Sequence, residues 1–355
     1  MTLASTGVTA PPALHCRCEA AIVMRVSTGQ VLGSFHAYRQ RDPASLTKIM
    51  TAYVVLKDGH LNRIVTVSRR AARTNGSRLH IRARERYTLL DLLRGLLLRS
   101  GNDAAVALAE GDSGSVERFV ASMNHMARSL GAYNTHFANP NGLTEPDHYS
   151  SAYDLALITR AALALPLFQH LVSTREDLVH EEVSGQIRHI ITTNRLLEAF
   201  PGADGVKTGT TQAAGHCLIA TATQSGVQLL AVILDSRDRW ADAAHALSWG
   251  FRDFHVVSAA RKDAPLDHLR VAGGRQAWVT LVGAHALSVM LPRSHSYRLV
   301  VTAPPAVAAP VRRGQILGTA YVVSAGQIVA HTPLVAERSV GQRFFKWAPT
   351  VSQPR

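Results

Sequence analysis

Three short polar strings stand in order along this chain of 355 residues, each set in a different apolar pattern: Ser45-Leu46-Thr47-Lys48, Ser100-Gly101-Asn102 and Lys207-Thr208-Gly209. Locally, the first opens a helix, the second breaks one and the third starts a strand. Joined in one site, they demand a fold in which a helix start, an inter-helix turn and a sheet edge converge. They also supply a nucleophile, two candidate proton carriers and a cationic anchor for a carboxylate, the parts of an acyl-transfer centre that works through an acyl-serine.

Pro43-Ala44 leads into Leu46, Ile49, Met50, Tyr53 and Val54, apolar residues at helical spacing that read as one buried stripe. Ser45 and Lys48 then stand at i and i+3 on a shared face, close enough for their side chains to meet. Serine is a poor nucleophile at its free pKa and needs a base beside it; lysine serves only when burial and neighbouring cations drive off its proton. At the helix N-terminus, free N–H groups favour the anion formed as an acyl group is attacked. Taken alone, the pattern equally describes a capping serine and a surface lysine.

The apolar helical run 89–98 is interrupted by Ser100-Gly101-Asn102, and helical composition resumes from Asp103 to Glu110. Serine and asparagine in such a break project into a cleft, the serine to relay a proton and the amide to grip a carbonyl, or else they merely cap the next helix. The third string runs through Thr210 and Gly215 into His216-Cys217-Leu218-Ile219-Ala220-Thr221, a Gln224-Ser225-Gly226 turn and a second apolar strand, which reads as a buried hairpin. At the edge of that sheet Lys207 and Thr208 offer a charge and a hydroxyl to a carboxylate, and Gly209 admits another backbone. The Thr210 N–H pairs with that of Ser45 as a candidate oxyanion hole.

The triple, with an SDN centre, marks class A β-lactamases and penicillin-binding proteins. Beyond it the chain resembles the low-molecular-mass penicillin-binding proteins that act as serine-type D-alanyl-D-alanine carboxypeptidases (peptidase family S11). The likeness rests on Ser27-Thr28-Gly29-Gln30-Val31-Leu32, residues 43–53, Gly76-Ser77-Arg78, the SGNDA core, Phe137-Ala138-Asn139-Pro140-Asn141-Gly142-Leu143, Thr193-Asn194-Arg195-Leu196-Leu197, residues 204–218 and Ser248-Trp249-Gly250-Phe251. The resemblance implies Ser45 as the acylated nucleophile, Lys48 as its general base and Ser100 as a proton relay. It also implies that Asn102, Lys207, Thr208 and Gly209 hold the peptide and that Arg239 lies near its terminal carboxylate. Two departures stand out: Arg84 where the family often has glycine, and His216 where an aromatic residue is usual.

The resemblance further implies an α+β fold, an antiparallel sheet flanked by helices over 19–257, and a small C-terminal all-β domain. Short alternating runs at 276–282, 286–291, 297–302, 315–323 and 327–335 read as a β-sandwich over 266–338, with the boundary at the break Arg261-Lys262-Asp263-Ala264-Pro265. Residues 339–355 form a tail whose Phe344-Phe345-Lys346-Trp347 suits a membrane surface or a strand end packed in the β-domain.

The implied activity is removal of the terminal D-alanine from peptidoglycan stem pentapeptides, with β-lactams as covalent inhibitors and no cofactor. Alternatives are endopeptidase action on cross-links and a non-catalytic penicillin-binding sensor. A β-lactamase would also need a fast deacylating base, for which Glu145 alone is placed at all similarly. Such work is extracytoplasmic, yet residues 1–18 show no secretory signal and read as a leader remnant or linker. The 38 Lys and Arg against 25 Asp and Glu leave a net +13, suited to anionic envelope polymers, lipid head groups or nucleic acid. The basic residues are spread along the chain with no recognition helix, so nucleic acid is not an expected partner. Cys16 and Cys18 lack a second pair for a zinc site and, too close for a relaxed bridge, read as free thiols; no metal is expected.

Overall fold

The apolar runs at 20–24, 217–220 and 229–234 become three strands of one antiparallel sheet. The computed structural model describes residues 14–343, which divide into two compact units on either side of Arg252 and Asp253. In the first unit, β1 (Cys18–Arg25) and β2 (Val31–Phe35) make a hairpin, and a 3-10 turn over Ala44–Thr47 leads into α1 (Lys48–Asp58). An excursion made of β3 (Ile64–Thr66), α2 (Arg69–Ala72) and β4 (Arg86–Thr88) precedes α3 (Leu89–Leu97), α4 (Asn102–Ser113) and α5 (Val116–Ser129). Then follow α6 (Ala152–Leu163), α7 (Pro166–Ser173), the hairpin of β5 (Glu176–His180) and β6 (Ile187–Ile191), and α8 (Leu196–Ala199). Three long strands, β7 (Ala203–Thr211), β8 (Gly215–Gln224) and β9 (Val227–Ser236), and then α9 (Arg239–Asp253) complete the unit.

The sheet order is β2-β1-β9-β8-β7, antiparallel throughout, so β7 is an edge strand. Every residue from Cys217 to Ala222 and from Leu229 to Leu234 is buried, because both faces of the sheet are covered; that is why these strands read as continuous apolar runs and not as alternations. Helix α1 departs from the one-sided stripe expected of it. All residues from Lys48 to Val55 are buried, since α1 runs through the middle of the helical cluster and touches α3, α4, α5 and α6. The start also differs. Ser45 lies in the tighter 3-10 turn ahead of α1, with Pro43 and Ala44 buried beside it.

In the second unit, the described residues form β10 (Phe254–Ala260), β11 (Pro265–Ala272), β12 (Trp278–Gly283), β13 (Leu287–Pro292), β14 (Tyr297–Thr302), β15 (Ala306–Ala308), β16 (Ile316–Ser324) and β17 (Gln327–Ala336), with no helix among them. Six strands form one sheet in the order β14-β16-β17-β12-β11-β15, and β10 pairs with β13 as a ribbon. The ribbon packs on the sheet through Val257, Val289 and Leu291 against Val322. The architecture is therefore a curled sheet closed by a ribbon, and not two matched sheets. The break at Arg261 is the turn between β10 and β11, inside this unit.

Cys16 and Cys18 are joined by a disulfide, which corrects the reading of two free thiols: the bend ahead of β1 sets their Cα atoms 5.3 Å apart, an ordinary span for a bridge. Cys217 is a free thiol buried in β8. The Phe344-to-Trp347 segment lies outside the described residues. No single helix among the described residues is long and apolar enough to cross a membrane.

Candidate active site

Burial of the α1 N-terminus leaves Lys48 fully enclosed, and three oxygens meet its ammonium group. Nζ lies 2.8 Å from Ser45 Oγ, 2.6 Å from Asn102 Oδ1 and 2.6 Å from the Asn141 carbonyl. The Asn102 amide is held in this sense because its Nδ2 donates to the Asn75 carbonyl at 2.6 Å. Loop 139–143 is laced by its own side chains. Asn139 Oδ1 accepts from Gly142 N at 2.7 Å, Asn139 Nδ2 donates to Leu143 O at 2.8 Å, and Asn141 Oδ1 accepts from Leu143 N at 2.9 Å. That lacing aims the Asn141 carbonyl at Lys48.

Burial, first, and then the positive charge of Lys207 hold Lys48 well below the ordinary lysine pKa, while Asp103 opposes the shift. A neutral lysine keeps two N–H bonds and one lone pair. Asn102 Oδ1 and the Asn141 carbonyl can only accept, so they take the two N–H bonds, and the lone pair is left for the Ser45 hydroxyl. The geometry thus fits a base poised on a nucleophile.

Ser100 sits between α3 and α4, buried, with its backbone in the left-handed region at φ 62°. Its hydroxyl has no hydrogen-bond partner among the described residues. The next residue but two, Asp103, is fully buried and accepts from the backbone N–H groups of Leu79, His80 and Ile81 at 2.8, 2.8 and 3.2 Å. It fastens the excursion between α1 and α3 to the wall that carries Ser100 and Asn102.

The third string lies on edge strand β7. A Cβ added to Gly209 would stand 3.2 Å from the Ser45 backbone N, so the absent side chain is what lets β7 run alongside the nucleophile turn. On the other side Gly142 has φ +84°, and a Cβ there would stand 1.9 Å from the Ala44 carbonyl. Lys207 is buried and donates to the Thr208 carbonyl at 3.0 Å; burial and the Arg239 charge bring its pKa down to about 7. Thr208 Oγ1 meets Thr193 Oγ1 at 2.9 Å. Arg239, the first residue of α9, reaches back to donate from Nη1 to the Gly209 carbonyl at 2.8 Å, to Thr210 Oγ1 at 2.7 Å and to the Cys217 carbonyl at 3.3 Å. The three strings and Arg239 therefore line one cleft between the edge of the sheet and the helices.

Several members escaped the sequence reading. Ala138 N–H donates to His148 Nδ1 at 3.0 Å, which places the ring proton on Nε2; that N–H donates to Thr47 Oγ1 at 2.9 Å, and the Thr47 hydroxyl donates to Ala44 O at 2.8 Å. Burial, with the charges of His136 and Lys48, lowers the His148 pKa to about 4, so the ring is neutral and the relay keeps its direction. This chain braces the turn that carries Ser45. Asp103 and Thr193 stand inside stretches that carry the family likeness but show no role of their own in the sequence, and a backbone carbonyl such as that of Asn141 leaves no composition signal at all. Glu145 is exposed in its loop, and none of its side-chain atoms bonds a member of the site.

Residues 5–238 match the D-alanyl-D-alanine carboxypeptidase family, peptidase S11, and residues 254–342 match the C-terminal domain of penicillin-binding protein 5. The chain belongs to the S11 D-alanyl-D-alanine carboxypeptidase family. It is 32% identical over 338 residues to the D-alanyl-D-alanine carboxypeptidase DacF of Bacillus subtilis, covering 92% of this chain and 87% of that one. To DacC of Escherichia coli it is 35% identical over 344 residues, covering 91% and 84%. The crystal structure of penicillin binding protein 5 from Haemophilus influenzae superposes with a TM-score of 0.83 at 30% identity, over 95% of this chain and 100% of that one. Of the two departures noted above, His216 is paired across the ladder with Thr210, whereas Arg84 donates its backbone N–H to the Val67 carbonyl and takes φ 75°, the left-handed backbone that glycine adopts without strain.

Proposed function

We propose that this chain is a serine-type D-alanyl-D-alanine carboxypeptidase that acts through an acyl-Ser45 intermediate on peptidoglycan stem pentapeptides, outside the cytoplasm. The observation that carries the reading is the Lys48 environment, in which two fixed acceptors hold the N–H bonds of a neutral lysine and turn its lone pair to Ser45 Oγ. Lys48 takes the hydroxyl proton as Oγ attacks the carbonyl between the two D-alanines. The oxyanion rests on the backbone N–H groups of Ser45 and Thr210, and Ser100 passes a proton to the departing amine. Lys207, Thr208 and Arg239 hold the free carboxylate, Asn102 and the Gly209 edge hold the peptide, and water releases the acyl group. Penicillins present a carboxylate and a strained amide to the same groups and acylate Ser45.

The exposure of Glu145 speaks against a β-lactamase as the principal activity. The test is D-alanine release from diacetyl-Lys-D-Ala-D-Ala with a fluorescent penicillin label, on the native chain and on Ser45→Ala. Release and labelling are expected to vanish together in the variant. Labelling without release by the native chain would favour a sensor or an endopeptidase, and release by Ser45→Ala would remove Ser45 from the mechanism.

A further inference from the structure

The positive charge is concentrated to a degree that the whole-chain balance conceals. Between residues 69 and 86, the excursion joining α1 to α3 holds seven arginines and one carboxylate, Glu85, a net +6 out of the chain's +13. Little of this charge is neutralised locally. Glu85 is bound by Arg188 of β6 at 3.0 Å, outside the excursion. Arg70 pairs with Glu117 at 2.9 Å, and Arg78 stands 3.7 Å from Asp103. The other five, Arg69, Arg73, Arg82, Arg84 and Arg86, are exposed, and their guanidinium groups have no carboxylate partner among the described residues.

The segment that bears this charge is tied to the site. The excursion is fixed to the Ser100–Asn102 wall at several points: Asn102 N–H donates to Ser77 O at 2.7 Å, Asn102 Nδ2 donates to Asn75 O, and Asp103 takes the three successive N–H groups described above. Arg84 keeps a left-handed backbone, a conformation strained for an L-residue and unstrained for glycine. An unpaired cationic segment braced on the side chain that holds substrate is placed to meet whatever extends from the cleft.

We propose that residues 69–86 form an exosite for the carboxylates of the peptidoglycan strand whose stem peptide occupies the cleft. The inference rests on the carboxypeptidase reading. The occupant is chosen because the segment that bears the arginines also supplies the Asn75 and Ser77 carbonyls that hold Asn102: a strand that extends from the site meets this segment, and stem peptides bear carboxylates besides the one that leaves with D-alanine. Exposed arginines at a rim raise capture of a polyanion more than they raise turnover, and they do so less at high salt.

The experiment compares three substrates: diacetyl-Lys-D-Ala-D-Ala, a pentapeptide-bearing peptidoglycan polymer, and the same polymer with every stem carboxylate except that of the terminal D-alanine amidated. Arg82→Gln/Arg84→Gln/Arg86→Gln is expected to match the native chain within about twofold on the short peptide and to lose about tenfold in kcat/KM on the charged polymer, mainly through KM. Arg261→Gln/Lys262→Gln/Arg312→Gln, which removes the same charge from the second unit, is expected to lose nothing. The native chain should lose its advantage on the amidated polymer and as salt rises from about 0.05 to about 0.5 M. Equal polymer cleavage by the native chain and the excursion variant would overturn the exosite, as would undiminished cleavage of the amidated polymer or an equal loss in the control. If the excursion variant fails to fold, read as loss of penicillin labelling, the salt and amidation measurements on the native chain decide alone. Failure of the native chain on the short peptide would instead deny the activity itself.

Discussion

Lys48 has three polar neighbours but only two N–H bonds once it is neutral, and that mismatch explains how a buried lysine and a weakly acidic hydroxyl become a catalytic pair. Its charge is opposed by burial and by Lys207, whose own pKa is brought down to about 7. The two lysines do opposite work, since one must lose its proton and the other must keep it. The dependence of kcat/KM on pH is therefore expected to rise as Lys48 deprotonates and to fall as Lys207 does, with apparent values that belong to the pair. In Lys207→Arg the anchoring charge no longer titrates, so the alkaline limb should move upward while the acidic limb remains. An unchanged alkaline limb, measured by D-alanine release across pH, would separate it from Lys207.

At the scale of elements, the cleft exists because three backbones approach without side chains between them. Gly142 has both a left-handed backbone and the Ala44 carbonyl 1.9 Å from where a Cβ would stand. Gly142→Ala is expected to displace either the Ser45 turn or the Asn141 carbonyl, slowing penicillin acylation at least about tenfold and costing about 1–3 kcal/mol in a denaturant melt. Unchanged acylation would mean that the loop yields without moving the turn. The elements around this contact were legible in the sequence to differing degrees. Helices α3 and α4 and the hairpin β8–β9 follow apolar period and turn residues closely, because local pattern and burial agree there. The 3-10 start at Ala44–Thr47 was not legible, since its tight turn is imposed by Gly142, Gly209 and the His148–Thr47 relay, all distant in sequence. The disulfide at Cys16 depends on a bend that spacing does not reveal. Strands β10 and β11 fill a stretch that reads as a boundary, because each is half exposed and their turn carries the charge that suggested a break. Arg239 is visible as a residue, but only the fold shows that the start of α9 brings it over the Gly209 edge.

For the whole molecule, an active site built on buried cations opposes stability. Unfolded, Lys207 titrates near about 10.4; folded, it does so near about 7. Between those values the unfolded chain holds a proton that the native state has released, so raising pH through this window favours the native state, and lowering it to neutrality gives that gain up. Lys207→Met is accordingly expected to abolish D-alanine release yet raise stability at pH 7 by roughly 1–4 kcal/mol, with a flatter dependence of Tm on pH up to about 10. A lower Tm at pH 7 would show that the Lys207 bond to Thr208 outweighs the burial of its charge. All site residues lie in the first unit, so the effect should appear in the melting of that unit.

The protonation state of Lys48 decides between a base and a bystander. The direct measurement is an NMR titration of the lysine side-chain signals in the native chain, with the Lys48 resonance assigned from Lys48→Arg. Lys48 is expected to lose its proton well below about 10.4, over the same pH range in which penicillin acylation rises. A Lys48 that keeps its proton up to the ordinary lysine range, in an enzyme that still acylates Ser45 at neutral pH, would contradict it.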